Sequence, residues 1–112
     1  MNVLEMVKVN QGVYMYTNQF ENMLKIVKQD VKKLKEAQKS YGDSWRQRGG
    51  VGAFMMLARK WDRIEKQVLE NNYDIFESYH LDNRDEGILD DIQDLRRYLL
   101  LVEEHLIYKK GE

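Results

Sequence analysis

The chain has 112 residues, a net charge of −1 at neutral pH, no cysteine and no proline. That length is one domain's worth. The near-balanced charge argues against a broadly basic nucleic-acid-binding surface, and the missing cysteines exclude disulfides, thiolate zinc sites and cysteine nucleophiles. A proline-free chain rich in Leu, Lys, Glu, Met, Gln and Arg is expected to be all-α. His80 and His105 are far apart in sequence, so a histidine-rich metal site is not expected. The apolar runs are too short to span a membrane. Together with the absence of cysteine, this fits a cytoplasmic location.

Residues 1–16, MNVLEMVKVNQGVYMY, read as an N-terminal arm, helical or extended, that Gly12 ends. Glu5 and Lys8 interrupt its apolar stretch, so a secretory leader is not expected. Residues 17–112 read as a single helical domain. The first long helix should begin near Asn18, with Glu21 at the capping-box position. Its apolar stripe is Phe20, Leu24, Val27, Val31 and Leu34. Lys25, Lys28, Lys32, Lys33, Lys35 and Lys39 make the rest either a solvated face or a phosphate-attracting rim.

Gly42, Gly49, Gly50 and Gly52 break the helix in KSYGDSWRQRGGVG, residues 39–52. Two readings of this segment stand side by side. It is a helix–helix connection with Trp45 capping the core, or a recognition loop. In the second case Tyr41 and Trp45 stack on a base, and Arg46 and Arg48 meet phosphate bidentately. It is not a P-loop, because the glycine spacing is wrong and no strand precedes it.

The second long helix is expected over Val51 to Asn71, with Phe54, Leu57, Trp61, Ile64 and Val68 as its stripe. Asp62 and Glu65 lie together on one flank, Lys60 on the opposite flank and Arg63 on the outer face. A short helix is expected over Tyr73 to Tyr79. The last helix, Asp85 to Tyr108, has the stripe Ile88, Ile92, Leu95, Leu99, Val102 and Leu106, and its Leu99–Val102 stretch should be buried nearly all round. Asn83 with Glu86 makes a capping box at its start. Asp91 and Asp94 fall on one flank of the stripe. The expected architecture is a bundle of three long helices and a short one.

The acidic start of the last helix is a solvated or salt-bridged face, or it is a metal site. If the two long helices pack with their acidic flanks facing, Asp62, Glu65, Asp91 and Asp94 converge. Four carboxylates in a small volume require protonation or a cation. Mg²⁺ suits them, because it takes oxygen ligands and keeps waters for a phosphate substrate.

KSYGDSWRQRGGVGAFMMLARKWDRIEK and ILDDIQDLRRYLLL, in that order, resemble the small phage-associated family called nucleotide modification associated domain. The shared pattern is Tyr41, Gly42 and Trp45 in a turn, Lys60 and Arg63 on a helix, and Asp90, Asp94, Leu95 and Tyr98 on the last helix. That family is similar in turn to the MazG-like all-α nucleoside triphosphate pyrophosphatases. Those bind Mg²⁺ through one carboxylate pair on each of two helices. The resemblance implies a MazG-like bundle, with Asp62 and Glu65 as the first pair and Asp91 and Asp94 as the second. The stretch where the pyrophosphatases carry a denser glutamate cluster is basic here.

The expected function is that of a nucleotide-binding, Mg²⁺-dependent (deoxy)nucleoside triphosphate pyrophosphohydrolase. Glu65, Asp91 and Asp94 would hold the ion, and Asp62 would be a further ligand or orient water. Lys60, Arg63 and Arg46 would neutralise phosphate, while Tyr41 and Trp45 contact the base. A homodimer is expected, since so small a domain buries limited surface. The rival reading is a non-catalytic protein that sequesters a nucleotide or binds a host factor.

Overall fold

The computed structural model describes residues 11–109. It contains four α-helices, α1 (Gln11–Tyr41), α2 (Gly49–Leu69), α3 (Ile75–Leu81) and α4 (Ile88–Tyr108), with a 3₁₀ turn over Ser44–Arg46. No strand occurs among the described residues. The all-α expectation therefore stands. The chain divides into two compact units, Met1–Ser40 and Tyr41–Glu112.

α1 runs 31 residues, straight through Gly12 and through the start expected at Asn18. A single glycine within a helix costs only about 1 kcal/mol, and the Glu, Met, Leu and Lys that follow are good helix formers. The first ten residues of the expected arm lie outside the described residues. The stripe of Phe20, Leu24, Val27 and Val31 is exposed.

Gly42 and Gly49 both take positive φ, 64° and 72°, and bracket the 3₁₀ turn. Most of the segment expected to be irregular is thus helical or turned. α2 ends before Asn72 and Tyr73, which adopt φ of 57° and 63°. Asparagine tolerates that region; for tyrosine it costs on the order of 1 kcal/mol. The Tyr73 amide donates to the Val68 carbonyl at 2.7 Å and closes the turn. α3 therefore starts at Ile75, two residues later than expected. Its N-cap is Asp74, whose carboxylate accepts from the Glu77 amide at 3.0 Å. Ser78, fully buried, donates to the Asp74 carbonyl at 2.8 Å and accepts from the Asn71 amide side chain at 3.3 Å.

α4 begins at Ile88, not Asp85, and the Asn83–Glu86 capping box does not form. The Asp82 carboxylate instead reaches forward and accepts from the Ile88 amide at 2.6 Å. Asp90 reaches back and accepts from the Gly87 amide at 3.0 Å. Two orphan amides at the helix start are thereby satisfied. Asp82 also takes the Arg84 guanidinium, through Nε at 2.9 Å and Nη2 at 3.1 Å. The Arg84 side chain, helped by the Ile88 amide, holds the Asp82 carboxyl far below the usual carboxylate range. Gly87 is buried against this carboxylate, and a Cβ there would collide with it.

A depressed folded-state pKa stabilises the fold above the unfolded-state value, about 3.9 for Asp, and that stabilisation is lost progressively as pH falls below it. Asp82→Asn should melt below the parent at pH 7, and the gap in melting temperature should narrow as the pH falls below about 4. Gly87→Ala should also lower the melting temperature at pH 7. Thermal unfolding followed by circular dichroism at pH 7, 4 and 2.5 reads both effects.

Candidate functional site

α2 and α4 pack antiparallel, with residue numbers rising along one as they fall along the other. Lys60 Nζ lies 2.9 Å from Asp94 Oδ2, and Arg63 Nε donates to Asp91 Oδ1 at 2.7 Å. At 100° per residue, Leu57, Lys60 and Ile64 all fall within about 40° of Ala53 on α2. Asp91, Leu95, Tyr98, Val102 and His105 cluster similarly on α4. Ile64 and Ile88 are the buried apolar residues of this seam.

Each helix is thus turned by roughly 50° from the stripe its apolar spacing marks. The turn brings the basic flank of α2 against the acidic flank of α4. Asp91, expected on a flank, is 1% exposed at the centre of the packed face. Arg63, expected on the outer face, reaches in to meet it. The turn leaves Phe54, Trp61, Leu99 and Leu106 exposed along the opposite edge. The expectation that Leu99 is buried is corrected accordingly.

Asp62 sits about 180° and Glu65 about 120° from Ala53 around α2, so neither points at α4. Both are exposed. Among the described residues no three His, Asp or Glu side chains gather as a metal-binding group. Asp90 is committed to the cap. A Mg²⁺ ion needs several oxygen ligands at one point. The point where Asp91 and Asp94 lie is already served by a guanidinium and an ammonium. Asp91 Oδ2 is buried without a hydrogen-bond partner, and it is the single feature here that invites a further cation or a water. One orphan oxygen between two cationic side chains is not a Mg²⁺ donor set.

The remaining predicted residues lie at the other end of the seam. His105 is 11 residues from Asp94, about 16 Å along the helix. A cleft of about 400 Å³ opens there, lined by Trp45 and Arg46 of the 3₁₀ turn, Gly49, Ala53, Phe54 and Leu57 of α2, and Val102, His105 and Leu106 of α4. Its walls are mostly apolar, with one guanidinium at the edge. Arg46 Nη2 donates to Asp43 Oδ2 at 3.1 Å, and its Nη1 lies 3.1 Å from His105 Nδ1. Trp45 meets the His105 ring edge-on, with centroids 6.0 Å apart and planes at 86°. Tyr41 is exposed and lies outside this lining.

His105 is the residue the sequence reading missed. Its signal was available: seven residues after Tyr98, it is the last polar member of the Asp91–Asp94–Tyr98 face. A second cleft of about 420 Å³ lies beside the start of α4, but its charged lining residues Asp82, Arg84 and Asp90 are taken up with one another and with the cap.

Removing Arg63 strands a buried carboxylate, whereas removing Lys60 frees a partly solvated one. Breaking a fully buried pair costs about 3–5 kcal/mol. With Arg63 itself 49% exposed, Arg63→Ala should cost less, on the order of 2–3 kcal/mol. Lys60→Ala should cost at most about 1 kcal/mol. Urea unfolding of the two variants measures the difference. Comparison with family models, curated proteins and solved structures gives no match, so the site is read from its own chemistry.

Proposed function

We propose that this protein is a nucleotide-binding helical domain whose base site is the cleft between Trp45 and the α2–α4 seam. The observation that carries this reading is the pairing of an apolar slot with a guanidinium at its rim. Binding sites of this kind are concave and mostly apolar, with a few placed polar groups that fix orientation. A flat base fits against Trp45 and Leu57, and a phosphate meets Arg46, whose planar fork suits its oxygens. The resemblance to nucleotide-linked families points the same way.

Of the two functional expectations, sequestration of a nucleotide fits the described geometry better than metal-dependent hydrolysis. Lys60 and Arg63 neutralise the two aspartates that hydrolysis would need to place on Mg²⁺. No catalytic step is therefore assigned to Asp62, Glu65, Asp91 or Asp94. The exposed Trp61 and Leu99, and the exposed stripe of α1, support self-association into the expected homodimer. Solvent-facing apolar patches of this extent mark interaction surfaces.

Calorimetric titration with a panel of deoxynucleotides, with and without Mg²⁺, tests the nucleotide reading. Binding should occur without Mg²⁺. Since base–aromatic stacking is worth about 1–3 kcal/mol, Trp45→Ala should weaken it at least about fivefold. Absence of binding would refute the reading, and pyrophosphate release in the presence of Mg²⁺ would restore hydrolysis over sequestration. Light scattering at micromolar concentration should show a dimer that Trp61→Lys converts to monomer; a monomeric parent would leave capture of another protein as the use of that surface.

A further inference from the structure

Arg46 cannot accept a hydrogen bond, because a guanidinium carries only donors and stays protonated. The 3.1 Å contact between Arg46 Nη1 and His105 Nδ1 therefore defines the histidine. Nδ1 must be the acceptor, so the ring is neutral and its proton is on Nε2. Arg46 is held from two sides, by His105 and by Asp43. Trp45 packs edge-on against the same imidazole.

Protonation changes these contacts unequally. An imidazolium donates from both nitrogens, so the bond to Arg46 is lost and two cations face each other. Arg46 keeps its contact with Asp43 and loses only the one to His105. Two cationic donors, Nδ1–H of His105 and the Arg46 guanidinium, then stand together in the lining of the cleft.

The charged surroundings are few. The 3₁₀ turn contributes Asp43 and Arg46, with Arg48 following. On α4 the nearest charges in sequence are Glu103, Glu104 and Lys109; the Lys109 amide donates to the His105 carbonyl at 2.9 Å. α2 lines the cleft with Gly49, Gly50, Ala53, Phe54 and Leu57 and brings no charge to it.

We propose that Arg46 and His105 form a proton-gated anion site at the mouth of the cleft, closed when His105 is neutral and able to grip a phosphate-like dianion when it is protonated. His105 is then the positioning residue for Arg46. The application to nucleotides rests on the nucleotide reading above; the gate itself does not. Histidine is the side chain that ordinarily changes charge between pH 5 and 8.

Two measurements test this on the intact protein. Nitrogen-15 NMR of the imidazoles at pH 8, without ligand, should show His105 as the Nε2–H tautomer; the Nδ1–H tautomer would overturn the proposal. Sulfate does not titrate in this range and serves as the anion probe. Its affinity for the parent should rise at least about fivefold from pH 8 to pH 5.5, about 1 kcal/mol by the standard conversion. His105→Asn keeps an acceptor near the Nδ1 position but carries no titratable proton, so its profile should be flat. Arg46→Ala should lose most of the affinity at pH 5.5. A parent profile that is flat, or a His105→Asn profile that rises like the parent's, contradicts the gate. A gated response to sulfate with no nucleotide binding would leave the gate standing and refute the nucleotide reading alone.

Discussion

A buried aspartate paired with Arg63 decides how this protein's second unit packs. Asp91 is enclosed at the centre of the α4 face, and an enclosed carboxylate without a counter-charge is expensive. Arg63 is the group that answers it, at 2.7 Å. For the two to meet, α2 must present its basic flank and α4 its acidic one. The Lys60–Asp94 pair one turn along follows from that choice of faces. So does the fate of Phe54, Trp61, Leu99 and Leu106, which belong to the apolar stripes by spacing but lie exposed. Electrostatics moved the packed face by half a residue step from where apolar periodicity alone would put it.

The same constraint separates the acidic residues. The sequence offers two carboxylate pairs at equal spacing, and spacing says nothing about which flank of a helix meets its neighbour. With Lys60 and Arg63 turned inward, Asp62 and Glu65 are carried outward by the pitch of α2. The residues singled out for base and phosphate, Trp45 and Arg46, are held at the opposite end of the seam by His105. They form a cleft of their own rather than part of one continuous site with the aspartates.

Helix number, type and order were legible in the sequence, because apolar residues at steps of three and four persist through each long segment. Helix ends were less so. Asp82 caps α4 from six residues upstream, a reach set by the loop's three-dimensional path, while the local Asn83–Glu86 pattern that fits the capping rule goes unused. α1 passes through Gly12 because neighbouring propensity outweighs one glycine. Trp45 and Arg46 were legible as a pair, being aromatic and basic residues in a glycine-flanked turn. The place of His105 on the polar face of α4 was legible too, but its role was not, because that role depends on Arg46, which is distant in sequence and meets it only once α2 and α4 are packed.

The claim that Arg63 and Asp91 set the seam is tested most directly by a double-mutant cycle on stability, with Arg63→Met, Asp91→Leu and the double variant compared in urea unfolding. Replacing both partners of a buried pair by apolar groups is often nearly neutral, whereas stranding one is costly. The double variant should therefore regain most of what Arg63→Met loses, with a coupling energy of about 1.5 kcal/mol or more. Additive losses, with no coupling between the two positions, would contradict the account.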